Sequence, residues 1–377
     1  MKNTLVIIHF QPLEKYPPVC NLLNEIAGAN SDNRKVHVIT SAPATGTPLL
    51  TFKGVNIHRL FTQNPNVNRV YRLLSYLKFY FTGLLLLIRY KPGKILYYET
   101  LSAGSPWLYK KIFGKRVDIL IHYHEYTSPE EYQTGMALSR WLHKKELTLF
   151  PDAQWVSHTN EDRLKLFVKD IEPHIPPHLF LLPNHPPASW QKGAGKQQGM
   201  KNGRIGFVYV GALSLESMYF RQAASFIASY PNECFWDIYS DNYSDNVIDY
   251  LTKLAAANIS FKGSVIYNNL PETLVKYDVG LILYNGHIPN YIFNAPNKLF
   301  EYHVCGLNVW FPNKMKSCYP YVKVDSFPQI IPVDFDNPST MPALNREEQD
   351  KKPFQINNFS SEEELKPLLQ QLFQTEG

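Results

Sequence analysis

Residues 294–310 read NAPNKLFEYHVCGLNVW and run on into Phe311 and Pro312. Pro296 has the fixed backbone angle and missing donor suited to a first helical turn, and Leu299, Phe300, His303 and Val304 then recur at helical spacing until Gly306 stops the run. The spacing predicts a short helix over 296–305. Its other face collects Asn294, Lys298 and Glu301, an amide, a cation and a carboxylate aligned near the N-terminus. That set suits an anionic, sugar-linked ligand: unpaired N–H groups and the helix dipole hold a phosphate, Lys298 adds charge, and Glu301, one turn deeper, accepts from ribose hydroxyls. The same residues also describe an ordinary surface helix whose Lys298–Glu301 pair contributes roughly a few tenths of a kcal/mol. The rest of the chain decides between the two.

Outward from this stretch, short apolar runs alternate with helical patterns in both directions. In the second half strands are predicted at 205–210, 234–239, 259–261, 279–284, 308–311 and 329–334, and helices at 219–229, 246–256, 270–277, 296–305 and 362–373. In the first half strands are predicted at 4–10, 35–40, 55–60, 94–99, 118–124, 154–158 and 179–182, with helices at 19–27, 73–90, 107–113 and 136–150. Strand and helix alternate throughout, which predicts an α/β chain of two Rossmann-like, doubly wound domains, and 377 residues suffice for two cores. Ligands in such sheets collect beyond the carboxyl ends of the strands, so His9, Gln11, Glu99, Thr100, His124, Glu125, residues 158–161 and Asn184 are the first-half positions of interest.

Between the halves the composition changes to QKGAGKQQGMKNG, Gly-rich, basic and without apolar periodicity. The boundaries read as a first domain over 1–187, a linker over 188–204, a second domain over 205–360 and a final helix over 361–377 packing back on the first. Ser361 and Glu364 have capping-box spacing at its start. The GAGK of the linker is not a phosphate loop, because Trp190 stands where the opening glycine belongs and Gln197 where a metal-binding Ser or Thr is needed.

The net charge of +5 is unevenly placed. Residues 1–185 hold 22 Lys and Arg against 14 Asp and Glu, a net of +8, and the remainder 16 against 19, a net of −3. An anionic partner for the first half, a phosphate-bearing acceptor or an anionic membrane surface, fits this asymmetry, as does a merely solvated positive face. The basic residues are dispersed, without the aromatic-basic pattern of a nucleic-acid binder. Residues 73–88 are the most apolar, but Ser75, Lys78 and Gly83 interrupt them, too often for a bilayer span. A buried helix is the default there, and an interfacial one, with Arg72, Lys78, Arg89 and Lys91 near headgroups, the alternative. Cys20, Cys234, Cys305 and Cys318 are scattered, as in a cytosolic protein, and TLVIIHF reads as a first strand and not a secretory signal. Asp334-Phe335-Asp336, followed by Asn337-Pro338, reads as a turn, and no metal site is expected.

The order YVGAL (209–213), DIYSDN (237–242), FKGSV (261–265), LPETLVKYDVGLILY (270–284) and PNKLFEYHVCGLNVW (296–310) resembles the nucleotide-sugar domain of retaining glycosyltransferases of the GT-B fold, family-4-like. LVIIHF, IHYHEY and LLPN in the first half are similar to that family's acceptor domain and domain exit, so the likeness covers essentially the whole chain. The resemblance implies two Rossmann-like domains facing each other across a cleft, and transfer of a sugar from a nucleotide-diphosphate donor to a glycan or lipid-linked acceptor in surface polysaccharide or glycoconjugate synthesis. It implies no cofactor and no metal, and a protein in the cytoplasm or at the inner face of the membrane. Glu301 stands at the position of the carboxylate on the donor ribose, with Lys298 and Asn297 near the diphosphate, Gly211 under the phosphates, and Ser264 and Val265 near the base. His124 matches the histidine facing the donor sugar, with Glu125, His9 and Gln11 on the acceptor side. The chain departs from the family pattern eight residues before Glu301, where an acidic residue is replaced by Phe293 with Asn294 the nearest polar group, and after YVG, where Arg221 is the first cation. A GT-B-like sugar-nucleotide epimerase and a catalytically weakened sugar-nucleotide-binding partner are the alternatives.

Overall fold

The computed structural model describes residues 4–29, 34–62, 68–114, 117–193, 203–337, 340–342 and 352–373. They form two compact units, residues 1–183 with 361–377, and residues 184–360.

The first unit holds a seven-stranded parallel sheet of β1 (Thr4–His9), β2 (Lys35–Ala42), β3 (Val55–Thr62), β4 (Lys94–Tyr98), β5 (Asp118–Tyr123), β6 (Ala153–His158) and β7 (Leu179–Leu181), in the order β3-β2-β1-β4-β5-β6-β7. Its helices are α1 (Pro17–Ala29), α2 (Arg69–Tyr90), α3 (Gly104–Phe113), α4 (Pro129–Thr134), α5 (Ala137–Glu146), α6 (Glu161–Asp170) and, from the end of the chain, α12 (Ser361–Phe373). Strands covered on both faces read as continuous apolar runs, and one face of this sheet packs Val6, Ile8, Tyr97 and Ile121 while the other packs Leu5, Ile7, Leu96 and Leu120. Leu365, Leu368 and Leu372 of α12 close the second face together with Leu22 and Leu23 of α1. This helix begins at Ser361 itself, so Ser361 is not the capping residue of the predicted box.

The second unit holds a six-stranded parallel sheet of β8 (Ile205–Val210), β9 (Cys234–Tyr239), β10 (Ile259–Gly263), β11 (Val279–Leu281), β12 (Asn308–Pro312) and β13 (Ile330–Val333), in the order β10-β9-β8-β11-β12-β13. Its helices are α7 (Phe220–Ala228), α8 (Asp245–Leu254), α9 (Leu270–Leu274), α10 (Pro289–Ile292) and α11 (Asn297–Val304). Residues 188–193 belong to this unit and not to a linker: they form a 3-10 turn, and Trp190 is buried beside Leu270, Leu274 and Tyr277. The rest of the predicted linker, apart from Gly203 and Arg204, lies outside the described residues.

Each sheet changes winding direction once, between β1 and β4 and between β8 and β11. Crevices open beyond the carboxyl ends of strands at such switch points, which directs attention to His9 and Glu99 in the first unit and to Gly211 and the approach to α11 in the second.

Candidate functional site

The second unit's site begins with α11. Pro296 is the residue before the helix and not part of its first turn, and no side chain caps it, so the amides of Asn297 and Lys298 open the helix without a side-chain acceptor. Asn294 lies outside the helix and so does not share a helical face with Lys298 and Glu301; its carbonyl accepts from the Cys318 thiol at 3.3 Å. Lys298 and Glu301 do meet, with Nζ 2.6 Å from Oε2. The pair is no surface ornament, since Glu301 is 1% exposed. A buried carboxylate requires such a partner, and the pair sets a cation in the first turn of an uncapped helix start and a carboxylate one turn deeper.

What holds α11 there is a missing side chain on β11. A Cβ on Gly280 would lie 2.2 Å from the Tyr302 ring, so only glycine lets the helix seat this deeply. The Tyr302 hydroxyl then accepts the Val210 amide at 3.0 Å, tying α11 to the end of β8. Immediately beyond, Gly211 adopts φ +147°, and the loop it opens is stitched to the segment after β11: Asn285 N donates to Ser217 O at 3.1 Å and Asn285 Nδ2 to Glu216 O at 2.9 Å. Gly211 and α11 are thus brought together across the switch point. Val265 packs against the cluster that includes Leu299, while Ser264 is exposed beyond β10, two strands from β8. Arg221, the first cation after β8, lies over the Tyr250 ring at 4.7 Å on α7. Asp334-Phe335-Asp336 forms the expected turn, with Asp336 N donating to Asp334 Oδ1 at 3.1 Å and the Asp336 carboxylate engaged by Lys314 and Tyr219.

The first unit's strand ends enclose a cavity of about 290 Å³ lined by His9, Gln11, Tyr16, Tyr98, Glu99, Thr100, Glu125, Glu131, Tyr132 and Met136, among others. His9 closes β1 and is 1% exposed. Its Nδ1 lies 2.8 Å from the Gln11 carbonyl, which accepts only, so Nδ1 carries the proton and Nε2 an acceptor lone pair. Burial lowers the His9 pKa to about 4, so the ring is neutral at pH 7, and Nε2 has no hydrogen-bond partner among the described residues. His124 stacks on Tyr98 with centroids 5.1 Å apart, and its ring lies 6.3 Å from that of His9.

Two residues hold His124: Glu99, one of the strand-end positions, and Arg163, which the sequence did not single out. Glu99 accepts the amides of His124 at 2.7 Å and Glu125 at 3.2 Å on one carboxylate oxygen. Its backbone has φ +63°, a strained angle for a side-chain-bearing residue, and such strain costs on the order of 1–3 kcal/mol. Burial, then the neighbouring Glu125, pushes its pKa up to about 8. Arg163, buried on α6, donates to the His124 carbonyl at 2.6 Å and to Thr159 Oγ1 at 3.1 Å. The signal for α6 was available in Asn160, whose side chain accepts Arg163 N at 2.9 Å as a helix cap before Glu161 and Asp162.

No family model matches the chain, and no curated protein matches it in sequence. Its structure is similar to that of sucrose-phosphate synthase from Thermosynechococcus elongatus, with 14% identity, 99% of each chain covered and a TM-score of 0.68. It is also similar to Anabaena HepE, solved in complex with UDP and glucose, at 12% identity over 98% of this chain and 95% of that one, with a TM-score of 0.64. UDP-GlcNAc 2-epimerase from Methanocaldococcus jannaschii matches at 11% identity, 98% of this chain, 99% of that one and a TM-score of 0.60. At such identities the likeness is one of fold, and in fold this chain is a GT-B protein, built as glycosyltransferases of that architecture are built.

Proposed function

We propose that the chain transfers a sugar from a nucleotide-diphosphate donor to a glycan or lipid-linked acceptor. The observation that carries the reading is the Lys298–Glu301 pair, a half-buried cation in the first turn of an uncapped α11 on a buried carboxylate one turn deeper, tied to the Gly211 loop at the switch point of the second sheet. An entering diphosphate takes the first amides of α11 and shares Lys298, and Glu301 turns to the ribose hydroxyls. Charge that builds on the departing diphosphate is then met by groups already in position, the amides and Lys298, with His124 assigned to the donor sugar. HepE, which shares the fold, was solved with UDP-glucose, which supports a nucleotide-sugar donor.

The first unit's cavity takes the acceptor in this reading. Among the described residues its lining contains Glu99, Glu125 and Glu131 and no Lys or Arg, so it offers acceptors to hydroxyls and no cation to a phosphate. The reading therefore assigns an unphosphorylated sugar ring to this cavity.

Turnover of a panel of UDP- and GDP-sugars tests it, with Lys298→Ala and Glu301→Ala beside the wild-type chain. Loss of transfer in both variants is expected, and variants as active as the parent would remove α11 from the site. Because an epimerase shares the fold, the panel is also run without acceptor: isomerised or free sugar in that arm, with no transfer when acceptor is added, would favour the epimerase reading.

A further inference from the structure

Helix α2 is apolar on two opposite sides, and the fold uses only one of them. On the inner side Phe79 and Leu87 are wholly buried. A Cβ on Gly83 would come 2.5 Å from Ser105 Oγ, and one on Gly104 2.7 Å from the Tyr80 ring, so α2 and α3 meet with no room for a side chain between them. The helix is long and apolar enough to cross a membrane, yet this packed side makes it part of the domain core and unavailable for spanning. The outer side is different. Val70 (68% exposed), Leu74, Leu77, Phe81 (65% exposed), Leu85 and Ile88 fall within roughly 80° of arc at about 100° per residue, a continuous exposed apolar stripe. Ile112 of α3 and Trp141 of α5 are exposed as well.

The charges around the stripe identify what covers it. Along α2, α3 and α5 there is no Asp and one Glu, Glu146, which is buried and accepts from Tyr97 and Thr100. Lys78 and Arg89 flank the stripe on its own helix. On the neighbouring helices Lys145 lies over the rings of both Trp107 (5.4 Å) and Trp141 (5.7 Å), and Lys111 over Trp107 (5.4 Å). Paired Trp and Lys suit the boundary between headgroups and acyl chains, and three helices that carry cations and no exposed carboxylate complement an anionic surface, with an exposed carboxylate, Glu130, on the adjoining α4. A second copy of the chain would bring the same cations against one another.

We propose that α2, with the exposed edges of α3 and α5, lies in the plane of an anionic lipid surface, its apolar stripe among the acyl chains and its flanking cations at the headgroups. The docking does not depend on glycosyl transfer. If the reading above also holds, Met136, which meets the Tyr76 hydroxyl of α2 and lines the cavity, places the docked side next to the acceptor cavity, as a lipid-linked acceptor requires.

Co-sedimentation of the full chain with vesicles, measured without any sugar nucleotide, tests this. The wild-type chain is expected to sediment with phosphatidylcholine vesicles containing about one third phosphatidylglycerol, to bind pure phosphatidylcholine much less, and to release as salt rises. The Leu77→Glu/Phe81→Glu variant is expected to lose roughly tenfold or more of the partitioning with an unchanged melting temperature, since both positions are exposed. Lys78→Glu/Lys145→Glu is expected to reduce it in anionic vesicles alone. A wild-type chain that stays in solution with both vesicles, or a Leu77→Glu/Phe81→Glu variant that binds as tightly as the parent, would overturn the proposal. So would a wild-type dimer in sedimentation velocity that this variant converts to monomer, because the stripe would then be a contact between copies.

Discussion

The two switch points handle charge in opposite ways. In the first unit burial strips charge from the strand ends: His9, His122 and His158 are wholly enclosed and lowered to about 4, 3 and 3, and Glu99 is pushed up to about 8. In the second unit the buried carboxylate Glu301 has a cation 2.6 Å away. The first arrangement offers neutral donors and acceptors, which suit the hydroxyls of a sugar. The second offers a cation and a carboxylate that can be separated by a charged ligand, which suits a diphosphate joined to a ribose. The difference teaches that one fold, used twice, can be tuned for two kinds of ligand by whether a buried group is paired or enclosed.

The largest expected effect breaks the paired side. Glu301→Ala should lower turnover by on the order of 10²–10³, the range for removing one preorganised electrostatic contact, while Glu125→Ala, exposed on the enclosed side, should lower it less. Steady-state rates on the same donor compare them.

Acid should then separate the units. The three buried imidazoles have folded pKa values below the ordinary 6.5, so they contribute stability that is present above 6.5 and lost as pH falls toward 4. By pH 5 each costs about 2 kcal/mol. Glu99 works the other way: with its folded value raised from 4.5 to about 8, it costs stability as pH rises through that window, and three imidazoles outweigh it on acidification. The second unit has one such imidazole, His303 of α11, buried and lowered to about 3, so it also loses stability in acid, but by less than the first unit with three. Hydrogen exchange at pH 7 and 5, corrected for the intrinsic rate, should show β1, β5 and β6 losing protection before β8 and β12. Equal loss in both sheets would refute the contrast. The Glu99→Gln variant should flatten the alkaline limb.

Smaller effects test the supports. Gly280→Ala should destabilise the second unit by about 1–3 kcal/mol in chemical denaturation, because the added methyl meets Tyr302 at 2.2 Å. Arg163→Lys keeps the charge but loses the shared grip on His124 O and Thr159, and should reduce kcat about tenfold, or about 1.4 kcal/mol, with KM for the donor little changed.

Much of this was legible in the sequence for a simple reason. Parallel strands covered on both faces are near-continuous apolar runs, and each of the thirteen described strands overlaps a predicted one. Boundaries were less legible where chemistry outside the run decides them, as at β11, which ends at Leu281 where 279–284 was expected. The helices α4, α6 and α10 escaped periodicity: α4 and α10 span six and four residues, and α6 is charged in its first turn, so its cap at Asn160 was the better sign. Helix α2 shows a deeper limit. It is apolar on two sides, so its composition allowed a buried helix, the default, or an interfacial one, and no pattern within it says which side the sheet covers. Trp190 was lost in a stretch of linker composition although it packs in a core. In the candidate site, the Lys298–Glu301 spacing was visible and its burial was not, since the seat of α11 depends on Tyr302 meeting Gly280, eighteen residues before Lys298. The grip of Glu99 and Arg163 on His124 links residues 25 and 39 positions apart, beyond any local pattern.

The central claim is that α11 holds a nucleoside diphosphate through Lys298 and Glu301. Isothermal titration of UDP and GDP into the wild-type chain and into Lys298→Ala, with thermal unfolding to confirm that the variant is folded, addresses it directly. The account predicts that at least one nucleotide binds the wild-type chain and that Lys298→Ala weakens it by about tenfold or more, as loss of a charge-assisted contact should. Undiminished binding to the folded variant, or no binding of either nucleotide to the wild-type chain, would contradict it.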